Sequence, residues 1–222
     1  MAIQQSPHEW VRESQPNAPA VRPTNWARTL FHVSAAAVAL TAVALLPSRG
    51  WLIAIPAAFA GHAWCLEIAR RLSPRLNDRL MRFYRAIVHP QERTRVNSAT
   101  WYGTALVILA LFATVPAMMV AVVVLGVADP IAAIVGRRWG SHVLRAGRSL
   151  EGALAFFVSG SVAAGVVLAI AHPGAPGPLI ALAAVAGLVG AVTELLSTRL
   201  DDNFTIPLAV GAIATLATPL LA

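Results

Sequence analysis

Carboxylate side chains within or beside long apolar runs are the residues of this chain best suited to chemistry. Asp129 lies inside one apolar run, and Glu151, Glu194 and Asp202 lie at the ends of others. A carboxylate in or near membrane hydrocarbon is energetically costly, so such residues usually face the protein interior and mark a site. Several of these carboxylates are therefore predicted to converge on one site.

Asp129 is followed directly by proline, which predicts a break in its helix. The ring of Pro130 would clash with the carbonyl group of Gly126, four residues earlier. Asp129 would then be the N-cap of a new half-helix, whose positive end would lie inside the membrane as in many transporter sites. The alternative interpretation is that Asp129 is only a structural cap or an interhelical hydrogen-bond partner.

A second candidate site is the segment GRRWGSHVLRAGRSLEG, residues 136–152. Glycine gives access to the backbone, arginine binds phosphate with paired donors, and a helix N-terminus attracts anions. The segment is not a P-loop, because six residues separate Gly140 from Gly147 where that motif has four, and Arg148 replaces its lysine. Gly147, Arg148 and Ser149 are predicted to bind phosphate. The alternative is a helix capped by Ser149 beside membrane-flanking arginines.

The third group of polar residues lies in the sequence TELLSTRLDDNFTIP, residues 193–207. Glu194 ends one apolar run, and Asp201, Asp202 and Asn203 precede the next. Mg²⁺ takes few protein carboxylates and completes its octahedron with water and substrate phosphates, which suits this set of oxygen ligands. The structural alternative is that Asp202 or Asn203 is the N-cap of the last helix.

The composition places these groups in a membrane protein. Hydrophobic residues make up 57% of the chain, charged residues 12%, and the mean hydropathy is +0.67, whereas soluble domains contain roughly 25% charged residues. Several apolar runs come near the ~17–25 residues that cross hydrocarbon about 30 Å thick. They are Leu30–Leu46, Trp51–Ile68, Trp101–Val115, Ala117–Gly136, Gly152–Ala171, Pro178–Ser197 and Phe204–Leu221. The predicted fold is an all-α polytopic transmembrane helical bundle of about seven spans, with a tight turn at Pro116.

The distribution of arginine predicts the orientation of this bundle. All 17 basic residues are arginine, and on seven spans only Arg49 falls on the side opposite to the others. The positive-inside rule then predicts a cytoplasmic N-terminus and cytoplasmic long loops. Residues 1–25 are predicted to be a disordered cytoplasmic arm and residues 26–222 a single transmembrane catalytic domain. Topology and anionic headgroups account for the net charge of +7, and no nucleic-acid partner is expected.

The long connection after the second span is predicted to contain an amphipathic helix over residues 70–90. Its apolar residues recur at steps of three and four, and arginines track beside them, which is typical of a helix that lies on the cytoplasmic membrane surface. The apolar residues are Leu72, Leu76, Leu80, Phe83 and Ile87. The arginines are Arg71, Arg75, Arg79, Arg82 and Arg85. Anchorage by contacts between arginine and lipid phosphate is the expected role.

The segments GVADPIAAIVGRRWG, GRSLEG, TELL and DDNFTIPL resemble the motifs of the CTP-dependent lipid-alcohol kinases, membrane enzymes that include dolichol kinase, phytol kinase and the yeast-type diacylglycerol kinase. The order and spacing agree over about residues 28–220. The resemblance implies motif positions for Asp129, Gly136, Arg137, Gly140, Gly147, Ser149, Glu151, Gly152, Glu194, Asp202 and Asn203. It also implies secondary positions for Arg28, His32 and Glu92. Three residues depart from the family pattern, namely Thr29 and Arg148 for lysine and Ala128 for glycine.

The function that the resemblance implies is transfer of a γ-phosphoryl group from a nucleotide, CTP in that family, to the hydroxyl group of a long-chain lipid alcohol. Polyprenol, phytol or farnesol, and diacylglycerol are the candidate acceptors. Asp129, Glu151, Glu194 and Asp202 would be catalytic and would hold Mg²⁺ or another divalent cation. Phosphates would contact the remaining motif glycines together with Arg137, Arg148, Ser149 and Asn203. The expected location is the bacterial inner membrane, with membrane lipids as partners and the site at the cytoplasmic face.

Two other classes of function remain open. A phosphatidate cytidylyltransferase would use the same nucleotide, lipid and metal, but its long Lys-Asp and Gly-His-Gly-Gly signature is not found in this sequence. A small-solute transporter with a broken fourth helix would explain Asp129 and Pro130.

Overall fold

The computed structural model of the protein describes residues 25–88, 90–173 and 176–221. The predicted arm of residues 1–25 lies outside them except for Asn25. The described residues form α-helices connected by short segments, which confirms the all-α class. The helices are α1 Trp26–Leu45, α2 Arg49–Leu72, α3 Pro74–Phe83, α4 Ser98–Phe112, α5 Val115–Trp139, α6 Leu150–Ala171, α7 Pro176–Leu196 and α8 Asp202–Ala217. Between α5 and α6 lies a small hairpin of β1 Val143–Arg145 and β2 Arg148–Ser149, and 3₁₀ segments cover Pro90–Arg93 and Thr218–Leu221.

Within the described part of the chain, five helices are long and apolar enough to cross a membrane, namely α1, α2, α5, α6 and α7. The helices α4 and α8 are apolar but shorter, with 15 and 16 residues. At 1.5 Å per residue they are roughly 22–24 Å long, less than the hydrocarbon thickness of about 30 Å.

The helix α5 forms the centre of the bundle and packs against α1, α6 and α8. Five of its side chains are at 0% exposure, namely Val120, Ala121, Val122, Val124 and Ala128. Neighbouring helices approach it closely because the contact residues are small. The helix that carries Asp129 is therefore surrounded by other helices over most of its length.

The predicted helix break before Pro130 is wrong. The helix α5 is continuous from Val115 to Trp139, and Thr114 is its N-cap. Proline removes one hydrogen-bond donor, but a membrane helix tolerates this where its neighbours compensate for the freed groups. Pro56 and Pro207 likewise lie inside α2 and α8. Asp129 is thus an interior helical residue and does not cap a half-helix.

Two further boundaries differ from the sequence prediction. The connection between α4 and α5 consists of Ala113 and Thr114, so Pro116 lies in the first turn of α5 instead of forming the connection. Proline is well accommodated there because the first helical N–H groups have no partner within the helix. The helix predicted over residues 70–90 is shorter, because Arg70 and Arg71 belong to the last turn of α2 and α3 begins at Pro74.

Candidate functional site

Charged and polar side chains gather at one end of the bundle, where α1, α4, α6 and α8 begin and α5 and α7 end. We call this region the polar end and define it by the residues Arg28, His32, Glu92, Ser98, Asp129, Arg148, Glu194, Asp201 and Asp202. Contacts between these residues join helices that are far apart in the sequence. Ser98 donates a hydrogen bond to Asp201 over 2.8 Å, for example, and so connects the starts of α4 and α8.

Arg148 connects three helix ends at the centre of the polar end. Its Nε lies 2.6 Å from Oε1 of Glu194, and its Nη2 donates to Oδ2 of Asp202 over 3.2 Å. Its Nη1 donates to the carbonyl oxygen of Ser197 over 2.8 Å. The guanidinium group therefore uses three of its five donors on α7 and α8 while it stands at the start of α6.

Asp129 lies in the same region, facing His32 of α1. The distance from Oδ2 of Asp129 to Nε2 of His32 is 3.9 Å, and the same nitrogen lies 3.4 Å from the carbonyl oxygen of Leu125. Asp129 lies near enough to Glu194 and Asp202 for the carboxylate charges to repel one another, although no hydrogen bond or ion pair joins it to Arg148. Three of the four predicted catalytic carboxylates are therefore brought together, and 27% of the Asp129 side chain is exposed.

The start of α8 is capped by Asp201, so the structural alternative, with Asp202 or Asn203 as the cap, is wrong. Oδ1 of Asp201 accepts from the backbone N–H of Asn203 over 3.0 Å. The Asn203 amide donates to Asp201 over 2.8 Å and to Asp202 over 3.1 Å. Asn203 is buried and orients these two carboxylates. Because Asp201 provides the cap, the Asp202 carboxylate remains directed towards Arg148.

The secondary candidates Arg28 and Glu92 form an ion pair beside this group. Nη1 of Arg28 lies 2.7 Å from Oε1 of Glu92, and Nη2 of Arg28 donates to Ser98 over 3.3 Å. Asn97 donates to the other oxygen of Glu92. Ser98, which bonds both Arg28 and Asp201, was missed in the sequence because a serine at a helix start carries no signal beyond a possible cap.

Glu151 is not brought to the other carboxylates. Its Oε1 accepts from the hydroxyl group of Ser141 over 2.5 Å and lies 2.7 Å from Nδ1 of His142. Helical side chains tilt towards the N-terminus of their helix, so Glu151 at the start of α6 faces the preceding hairpin. Over residues 25–88, 90–173 and 176–221, no three side chains of His, Cys, Asp or Glu are arranged to hold a metal ion. The predicted set of four metal ligands is therefore not assembled.

Three of the predicted phosphate-binding glycines lie where α5 and α6 touch. A Cβ atom at Gly136 would lie 3.2 Å from Oγ of Ser149, and one at Gly152 would lie 3.1 Å from the carbonyl oxygen of Ala132. A Cβ atom at Gly140 would collide with the carbonyl oxygen of Gly136 and lie 2.6 Å from Oγ of Ser149. Contact between the helices accounts for Gly136 and Gly152, and the end of α5 together with Ser149 accounts for Gly140.

Gly147 has a different role, because it forms the turn of the hairpin with Ala146. Both residues have positive φ, 52° for Ala146 and 79° for Gly147, as a two-residue type I′ turn requires. The space around Gly147 is open. Ser149 then caps α6 as predicted, accepting from the N–H of Gly152 over 3.1 Å. Arg137 lies in the last turn of α5, and no described residue accepts a hydrogen bond from its buried Nε.

The substitution Gly140→Ala should destabilise the protein by about 1–3 kcal/mol, the usual cost of overpacking. The added methyl group would meet backbone as well as the Ser149 side chain, and backbone cannot move aside easily. Gly61→Ala is the matched control, since nothing lies within 4 Å of its Cβ position. The measurement is the melting temperature of both variants in detergent. Equal melting temperatures would show that the contact at Gly140 does not limit stability.

An apolar groove of about 540 Å³ lies between α1, α5 and α6, lined on α5 by Met119, Val123, Val127 and Ile131. Val127 and Ile131 each stand two residues from Asp129. Because successive helical residues are about 100° apart, both point to the side of α5 opposite Asp129. The groove is therefore separated from the polar end by α5 itself.

No protein family model, curated protein or solved structure matches this chain.

Proposed function

We propose that the protein is a membrane lipid-alcohol kinase that transfers the γ-phosphoryl group of a nucleotide to the hydroxyl group of a long-chain lipid alcohol. The observation that carries the proposal is the pairing of Glu194 and Asp202 with Arg148, with Asp129 at the same end of an apolar helical bundle. Phosphoryl transfer depends mainly on positioning and on neutralisation of phosphate charge. The carboxylates of this group are ligands for a cation, and the N–H groups of Arg148 are hydrogen-bond donors for phosphate. The group lies at the end of the apolar helices, where the hydroxyl group of a membrane lipid would also lie.

The charge of this group fits a divalent cation. Arg148 contacts two of these carboxylates, and the charges of Arg28 and Arg137 also act on Asp129. Arg28 is already paired with Glu92, and Asp201 adds a further carboxylate, so negative charge is in excess at the polar end. Hard carboxylate oxygens are the protein ligands of Mg²⁺. Mg²⁺ usually takes only one or two carboxylates together with substrate phosphates, so a complete protein cage is not required. We assign its binding to two of Asp129, Glu194 and Asp202 and leave Glu151 out. When bound, the cation would neutralise charge on the phosphates.

Arg148 is the side chain that we propose as the hydrogen-bond donor to the nucleotide phosphates. Two of its five N–H groups remain after its contacts with Glu194, Ser197 and Asp202. The open backbone around Gly147 gives a nucleotide room to approach the same arginine. CTP is the donor that the resemblance to the lipid-alcohol kinases implies.

Asp129 is the proposed acceptor of the alcohol proton. It lies ten residues, about 15 Å, before the end of α5, at a depth that a lipid hydroxyl group can reach without leaving the membrane. His32 faces this carboxylate at 3.9 Å, which is beyond hydrogen-bond distance, so the carboxylate stays available to a proton. The groove on the other side of α5 is not assigned to the acceptor, because the helix separates it from Asp129.

A transporter is a weaker alternative than the sequence indicated. The feature that favoured it was a broken helix at Pro130, and α5 is continuous there. A cytidylyltransferase would use a similar set of groups and differs in which phosphorus atom is attacked.

The deciding experiment uses purified protein, Mg²⁺ and CTP labelled at either the γ or the α phosphate. Polyprenol, phytol, farnesol and diacylglycerol are supplied separately as acceptors. We expect γ label in the lipid with one of them and no α label. Transfer of α label would indicate a cytidylyltransferase, and transfer of neither label would contradict both enzymatic assignments.

We further propose seven spans, with α4 and α8 also crossing a bacterial inner membrane and the polar end facing the cytoplasm. The arginine distribution supports this orientation. CTP does not cross a bilayer, so inside-out vesicles should phosphorylate lipid with added CTP, whereas sealed right-side-out vesicles should do so only after detergent opens them. Activity in sealed right-side-out vesicles would place the polar end on the outer face.

A further inference from the structure

The helix α3 lies outside the apolar bundle and is held to it along one side. None of its residues is buried. Asn77 donates to the carbonyl oxygen of Arg93 over 3.1 Å, and Nη2 of Arg93 lies 2.5 Å from Oδ1 of Asp78. Residues 77 and 78 therefore face the segment that leads to α4.

A buried ion pair fixes this attachment. Nη2 of Arg70 lies 2.7 Å from Oε2 of Glu67, whose side chain is 4% exposed. The same guanidinium group donates to Oδ1 of Asn77 over 3.0 Å and to the carbonyl oxygens of Arg93 and Arg95. The orientation of α3 relative to the bundle is thus set by contacts at the end of α2, and the other sides of α3 are presented outwards.

The outward sides of α3 combine an apolar stripe with unpaired arginines. Leu76, Leu80 and Phe83 follow one another at steps of four and three residues, and 78% of Phe83 is exposed. Beside them, exposed arginines repeat at the same steps at positions 75, 79 and 82. No ion pair or hydrogen bond joins these three arginine side chains to another of the described residues. We call Arg75, Arg79 and Arg82 the basic flank.

We propose that α3 docks through this apolar stripe and the basic flank on the anionic phospholipid headgroups of the membrane that the bundle spans. Phe83 is exposed, and Leu76 and Leu80 are half-buried. A partly exposed apolar stripe next to arginines is the pattern of helices that lie in the interface plane, where the stripe enters the acyl boundary and the cations reach phosphate. The adjoining end of α2 continues this surface, since Leu72 is 81% exposed. Because α3 directly follows α2, a helix long and apolar enough to cross a membrane, it lies at the end of a candidate span and hence next to the bilayer surface. Its three unpaired cations complement anionic lipids. This docking is independent of the proposed kinase activity.

The test reads the environment of α3 directly. The variant Phe83→Cys, in a Cys65→Ser background, carries an environment-sensitive fluorophore and is reconstituted into nanodiscs of phosphatidylcholine with increasing phosphatidylglycerol. We expect the emission to shift to the blue as phosphatidylglycerol increases and to return towards the red in about 1 M salt, where the Debye length is about 3 Å.

Two charge variants decide whether the basic flank recognises the lipid. An arginine near an anionic surface contributes about a fivefold factor, so Arg75→Gln, Arg79→Gln and Arg82→Gln together should lower the ratio of docked to undocked helix by roughly 100-fold. The matched control, Arg138→Gln, Arg145→Gln and Arg199→Gln, removes the same charge from other exposed sites and should keep the parent response. An emission independent of phosphatidylglycerol in the parent protein, or equal responses of the two triple variants, would overturn the proposal.

Discussion

Asp129→Asn should leave the protein folded while lowering phosphoryl transfer by at least ~10²-fold, the lower range for loss of a general base. Asparagine has nearly the same volume, and no hydrogen bond joins the Asp129 side chain to another described residue. The helix α5 is continuous at this position, so no cap is lost either. Only the negative charge disappears, and with it the proposed proton acceptor and a cation ligand.

The measurement pairs initial transfer rates with melting temperatures in detergent. Asp78→Asn is the matched control, because it makes the same chemical change on α3, away from the polar end. We expect the control to keep the parent rate and both variants to melt near the parent temperature. Parent-like turnover of folded Asp129→Asn would refute its catalytic assignment.

Arg148→Gln should have the second large effect, on both stability and transfer. It removes the only guanidinium group that contacts Glu194 and Asp202 among the described residues and leaves three carboxylates repelling one another. Breaking a fully buried ion pair costs about 3–5 kcal/mol, and the partial exposure of these side chains reduces the expected loss to roughly 2–3 kcal/mol. Transfer should fall by at least ~10²-fold, since a charge-assisted contact with phosphate is lost as well.

Arg148→Lys separates the structural role of this residue from its phosphate-binding role. Lysine keeps the positive charge but lacks the planar fork that reaches Glu194, Ser197 and Asp202 together. We expect a folded protein whose KM for CTP rises by about tenfold or more, the equivalent of a lost charge-assisted hydrogen bond. If the lysine variant melts earlier but its KM for CTP is unchanged, Arg148 holds helices together and does not bind phosphate.

Helix class and membrane character followed from local properties of the sequence. The length and hydrophobicity of an apolar run predict a membrane helix, because a backbone in hydrocarbon must satisfy its own hydrogen bonds. Among the described residues, five of the seven predicted runs form helices that are long enough to cross a membrane. The cap of α6 by Ser149 was also predictable, since it depends on a hydroxyl group and an N–H three residues apart. These features depend on neighbours in sequence, so the sequence alone determined them.

The composition of the candidate site was decided by tertiary packing. Glu151 stands three residues from Arg148 and yet faces the hairpin, whereas Glu194 and Asp202 are more than forty residues away and contact it. Continuity through Pro130 likewise depends on the helices around α5, and local rules predicted a break. Gly136, Gly140 and Gly152 can suit either phosphate or helix contact, and only the approach of α6 to α5 shows which contact they make. Side-chain direction and helix proximity are properties of the packed bundle, so no pattern along the chain contains them.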